Sequence, residues 1–136
     1  MFQFSKKVEY ALIAIRHMTV GHRGQIYTTK EISDKYQLPY ELLAKIMQKL
    51  VKQHFILSYQ GVNGGYVLSR NPAEIRVSEV INAIEGKSAV TIVACEAGTP
   101  DDCNIHTTCT IKNPLIKLQT NINKVLDELT VLEMFS

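Results

Sequence analysis

Residues 28–69 read TTKEISDKYQLPYELLAKIMQKLVKQHFILSYQGVNGGYVLS, and the order of signals in this stretch decides the fold. Thr28 and Glu31 stand at capping-box spacing, so a short helix is expected through Ile32 to about Tyr36. Leu38-Pro39 makes a sharp restart, because proline is tolerated in the first turn of a helix. Leu42, Leu43, Ile46, Met47 and Leu50 then mark one apolar stripe of a second, longer helix. Two helices joined by a short turn form a helix-turn-helix. Phe55-Ile56-Leu57-Ser58-Tyr59-Gln60 follows as a run of β-formers, and Gly61-Val62-Asn63-Gly64-Gly65 as a turn able to take positive φ. Tyr66-Val67-Leu68-Ser69 returns as the partner strand. A hairpin directly after the second helix is the wing of a winged helix. The plain structural hairpin is the alternative; position and basic context favour the wing.

Outward from this stretch the pattern stays helical. Val8, Ala11, Leu12, Ile15 and Met18 share one face of a first helix that ends near Gly21 and Gly24. Beyond Asn71-Pro72, the residues Ile75, Val77, Val80, Ile81 and Ile84 support a short helix that stops at Gly86. Residues 87–94 are an apolar connection and 95–113 an irregular stretch that holds all three cysteines. Pro114 starts a last helix, in which Leu115, Leu118, Ile122, Val125, Leu129 and Leu132 recur at steps of three and four. Such a seam needs a partner, and dimerisation is its simplest use. The expected fold is mostly α with a small β-hairpin. A winged helix-turn-helix DNA-binding domain (1–86) leads into a cysteine-containing cluster-binding loop (87–113) and a long C-terminal dimerisation helix (114–136).

Bulk properties narrow the class. The chain has 136 residues, 46% hydrophobic and 21% charged, the make-up of an ordinary globular protein. No charged-then-apolar leader opens it and no apolar run approaches a membrane span, so a cytoplasmic protein without a membrane partner is expected. The net charge is only +2, yet residues 1–70 hold ten Lys/Arg against four Asp/Glu, and residues 71–136 five against nine. A basic first half points to a polyanion. No Cys-x-x-Cys pair, His-Glu-x-x-His helix or nucleotide loop is present, so an enzyme is not expected.

The polar face of the second helix shows Tyr40, Glu41, Lys45, Gln48, Lys49 and Lys52. Amides and cations suit base edges and phosphates respectively, although a solvated face has the same composition. On the DNA-binding reading, Tyr40, Glu41, Lys45 and Gln48 enter the major groove, and Lys49, Lys52 and Arg70 contact phosphates. Thr28 adds a hydroxyl, and the wing from Gln60 through Asn63 and Gly64 approaches the minor groove. A thiol or zinc enzyme is the main rival from another class, and a winged helix that binds protein instead of DNA is the second.

Cys95, Cys103 and Cys109 cluster in one stretch among turn residues, as metal ligands do. Thiolates suit an iron–sulfur cluster or zinc. The short knuckle spacing usual for structural zinc is absent, which favours a cluster over zinc or redox-active thiols. A fourth donor must come from elsewhere, with His106, Glu96, Asp101 and Asp102 nearby in the chain. His17, His22 and His54 read as plain surface or core histidines.

The opening Phe4-Ser5-Lys6-Lys7-Val8-Glu9-Tyr10-Ala11-Leu12, the wing from Gly61 to Leu68, Ile75-Arg76-Val77, Ile84-Glu85-Gly86 and the three cysteines together resemble the Rrf-type (IscR/NsrR/RirA-like) winged-helix regulators. The resemblance covers nearly the whole chain. It implies a homodimeric repressor or activator on palindromic double-stranded promoter DNA, controlled by a 2Fe-2S or 4Fe-4S cluster on Cys95, Cys103 and Cys109. Cluster supply, iron, redox state or nitric oxide would be sensed. A cluster-free thiol- or zinc-dependent winged-helix regulator is the alternative. One branch of such regulators uses a histidine three residues after the last cysteine, where this chain has Lys112. Another uses an acidic residue of the partner subunit's first helix, at the position of Glu9. Relatives often carry arginine before the wing glycines; this chain has Gln60, which lacks the charge that a narrow groove attracts.

Overall fold

The computed structural model describes residues 3–21, 24–86 and 112–135. Helix α1 (Lys6–Val20) starts at Ser5, whose side chain accepts a hydrogen bond from the Val8 N–H. Helix α2 (Thr29–Tyr36) starts at Thr28, whose hydroxyl accepts from the Glu31 N–H at 3.0 Å. Only half of the predicted capping box forms, because the Glu31 carboxylate turns to His17. Gln37 then takes a left-handed conformation (φ 57°), and the Ser33 hydroxyl donates to the Leu38 carbonyl at 2.7 Å, fastening the turn. Pro39 caps helix α3 (Tyr40–Lys52).

Strands β1 (Ile56–Tyr59) and β2 (Gly65–Leu68) pair antiparallel, with Ile56 opposite Leu68 and Tyr59 opposite Gly65. The hairpin is seated by a further pairing: Tyr27 and Tyr66 exchange backbone hydrogen bonds of 2.8 and 2.7 Å. Glycine is required beside that bridge, since a Cβ on Gly65 would lie 2.6 Å from the Tyr27 carbonyl oxygen. The wing is thereby held to the segment that launches α2.

After a single 3-10 turn (Pro72–Glu74), helix α4 (Val77–Glu85) ends in Gly86, which adopts φ 74° and donates its N–H to the Asn82 carbonyl. Helix α5 (Lys112–Glu128) begins before Pro114, which falls in its first turn. The continuous helix expected to the C-terminus breaks at Leu129–Thr130, and helix α6 (Val131–Phe135) follows. Non-local pairing causes the break. Thr130 bridges Arg76, the Val77 N–H donates to the Leu129 carbonyl, and the Val131 N–H donates to the Ile75 carbonyl.

One core joins these elements. Val8, Ala11, Ile15 and Met18 of α1 are buried against Leu43, Ile46, Met47 and Leu50 of α3 and Val77, Val80, Ile81 and Ile84 of α4. Phe55, Ile56, Ile75 and Val131 close its ends. The 3.6-residue spacing of these side chains buries one stripe of each helix and leaves the opposite face to solvent. Among the described residues, no helix is long and apolar enough to cross a membrane.

Candidate nucleic-acid interface

Helix α3 divides cleanly. Leu43, Ile46, Met47 and Leu50 are buried, whereas Tyr40, Glu41, Lys45, Gln48, Lys49 and Lys52 are exposed. The helix is fixed in angle by its apolar stripe, so its polar face forms a rigid exposed ridge. Lys45 and Lys52 make no ion pair with the described residues. Thr28 is exposed at the head of α2. Gln60, Val62 and Asn63 are exposed at the tip of the hairpin, and the Gly64 N–H closes the turn on the Gly61 carbonyl at 3.0 Å. The hairpin itself is uncharged: residues 55–69 contain no Lys, Arg, Asp or Glu.

Two cations expected at phosphates are engaged within the chain. Lys49 Nζ donates to the Ile84 carbonyl at 3.2 Å. Arg70 donates to Glu79 at 2.9 Å and to the Glu74 carbonyl at 3.0 Å, and its guanidinium lies 5.1 Å from the Phe55 ring centre. Burial disfavours the Glu79 charge, but hydrogen bonds from Arg70 and the Arg76 N–H, with the charges of both arginines, outweigh it. They hold the Glu79 carboxyl below its usual range.

His17, to which the sequence assigns no role, is buried and satisfied at both ring nitrogens. Nδ1 lies 2.9 Å from the Tyr36 hydroxyl and Nε2 3.1 Å from the Glu31 carboxylate, with Tyr27 edge-on at 5.0 Å. It ties α1 to both ends of α2. Burial, then the Glu31 charge, pushes the Tyr27 hydroxyl up from its usual pKa. The signal for His17 was its place on the buried face of α1, one residue before Met18.

Glu9 sits in the first turn of α1, half-buried, in a surface ion pair with Lys6 at 3.2 Å. Cys95, Cys103, Cys109 and His106 lie outside the described residues. The C-terminal seam splits into two rows. Leu115 and Ile122 of α5 are half-buried, whereas Leu118 and Val125 of the same helix are 47 and 62% exposed; beyond the break Leu129 is half-buried and Leu132 of α6 is 44% exposed.

A helix-turn-helix with a rigid polar second helix, flanked by an exposed hairpin, defines a winged-helix transcription regulator. Residues 4–136 match the Rrf2 family, described as iron-dependent transcriptional regulators, and the chain belongs to that family. It is 25% identical over 132 residues to the HTH-type transcriptional regulator NsrR of Shouchella clausii, covering 97% of this chain and 87% of the relative. To the NsrR of Oceanobacillus iheyensis it is 29% identical over 126 residues, covering 93 and 84%. The fold matches that of CymR (YrzC), the global cysteine regulator of B. subtilis, with TM-score 0.76 and 24% identity over 99 and 97% of the two chains. It also matches T. potens IscR, with TM-score 0.72 and 23% identity over 98 and 85%.

Proposed function

We propose that the chain is a homodimeric regulator that docks α3 in the major groove of promoter DNA, with its occupancy set by an iron–sulfur cluster. The observation that carries the DNA half is the ridge of Tyr40, Glu41, Lys45, Gln48 and Lys52, exposed on a helix whose other face is locked in the core. Lys52 meets phosphate, Tyr40, Glu41, Lys45 and Gln48 enter the major groove, and Thr28 adds a contact from the head of α2. Gln60, Asn63 and Gly64 bring the wing to the neighbouring groove. The exposed Leu118 and Val125 of α5 support pairing of two chains, which matches DNA with two half-sites.

The cluster half rests on the donor set. Three cysteines within one stretch supply soft thiolates of the kind that hold iron. Glu9 of the partner subunit is the fourth donor; its solvent-facing pair with Lys6 is weak enough to exchange for a metal. When bound, the cluster supplies a centre that responds to redox, iron or nitric oxide. The chain's part is to convert its state into a dimer geometry that fits or misses the DNA.

Anaerobic purification with iron and sulfide analysis, joined to DNA binding over a salt series, tests both halves. Stoichiometric iron and sulfide with affinity that falls steeply with salt is the expected result. A colourless protein that still binds DNA would replace the cluster by thiol or zinc control. Salt-insensitive or absent DNA binding would overturn the DNA half.

A further inference from the structure

Helix α4 is tied at both ends to the two elements that face DNA. In its last turn, the carbonyl of Ile84 has no intrahelical partner to accept from, and Lys49 of α3 fills it at 3.2 Å. A cation there also meets the negative end of the helix dipole. In its first turn, Glu79 accepts a hydrogen bond from Arg70, two residues beyond β2, at 2.9 Å. Arg70 simultaneously covers the ring of Phe55, the residue that opens the wing, and bonds the Glu74 carbonyl. The two segments that flank the hairpin are therefore referred to α4 through one guanidinium. The Ser5 hydroxyl, at the head of α1, bonds Glu85 in the same last turn as Ile84. Two attachments at opposite ends of one short helix fix orientation as well as distance.

We propose that α4 is the common mount of the recognition helix and the wing, and that Lys49 and Arg70 are positioning residues that hold these elements to it. This rests on the DNA-binding reading above. A phosphate contact by Arg70 would strip Glu79 of its main counter-charge, and one by Lys49 would break its bond to the Ile84 carbonyl; among the described residues Lys45 and Lys52 give up no such bond. The stretch bearing the three cysteines follows Gly86 directly in the sequence. A displacement of α4 is thus delivered to both DNA-facing elements together.

The test uses the full chain and two duplexes of equal length, one selected by the wild type from a randomised pool and one unrelated. Binding is read across a salt series. Lys49→Gln is expected to weaken binding to the selected duplex about fivefold, with the unrelated duplex and the salt slope unchanged. Lys49→Arg, which can still donate to the Ile84 carbonyl, restores affinity. Glu79→Ala sharpens the test, since removing an anion from a basic protein ordinarily tightens DNA binding. Here it is expected to weaken the selected duplex by about the same factor. A salt slope that falls by about 0.9 in Lys49→Gln would make Lys49 a phosphate contact and overturn its positioning role. Unchanged or tighter binding by Glu79→Ala would overturn the Arg70 attachment. A wild type that binds neither duplex would remove the DNA reading and this inference with it.

Discussion

Helices α3 and α5 carry similar apolar stripes, yet the chain treats them differently. Every member of the α3 stripe from Leu43 to Leu50 is buried by α1 and its neighbours, and only a polar ridge is left outside. On α5, Leu126 turns to the chain's own core while Leu118 and Val125 stay in solvent. The first helix is complete within one chain and offers charge and hydrogen bonds. The second is incomplete and offers apolar surface. Such a contrast supports the proposed assignment of α3 to DNA and of α5 to another copy, because burial rewards apolar area whereas a polyanion rewards exposed cations.

Substitutions can break that contrast from either side. Leu50→Ala empties a fully buried site in α3, with an expected loss of about 3 kcal/mol in chemical denaturation. A loss under about 1 kcal/mol would mean that the stripe is not locked. Val125→Glu places a charge in the exposed row of α5. It is expected to leave monomer stability unchanged and to weaken self-association about a hundredfold, or ~2.7 kcal/mol, in sedimentation. A variant that still dimerises as tightly as the wild type would take that row out of the interface. Lys52→Gln removes from the α3 ridge a cation that has no ion pair among the described residues. The slope of log affinity against log salt is expected to fall by about 0.9 for every duplex tested.

The smallest effect concerns Glu79. Its carboxyl is held below the usual range in the folded chain, so it stabilises above the unfolded pKa, and that contribution is lost as pH falls through the folded value. Wild type should therefore lose more stability than Glu79→Gln on going from neutral to strongly acid solution. The difference should stay below about 1 kcal/mol, because the Glu79 side chain is 39% exposed. Identical acid profiles would deny the Arg70 attachment any weight in folding.

The winged helix was legible because its signals are local. Pro39 restarts α3, the Leu42–Leu50 spacing sets its buried face, and the Gly61–Gly65 run turns the hairpin. What escaped the sequence depends on partners far along the chain. Nothing near Thr130 announces a bridge to Arg76, so the C-terminal helix reads as continuous when it is not. Lys49 and Arg70 look like any cations on a basic face until α4 folds against them. Glu31 fits a capping box by spacing, yet a buried histidine on another helix competes for its carboxylate and wins. Of the site residues, the α3 ridge could be listed from periodicity alone. Singling out Lys49 as the cation engaged with α4 required the tertiary contacts.

The division of labour between α3 and α5 is tested most directly by the stoichiometry of the complex with a selected palindromic duplex, measured by sedimentation at several salt concentrations. Two chains per duplex, released together as salt rises, is the predicted result. One chain per duplex, or a complex indifferent to salt, would contradict it.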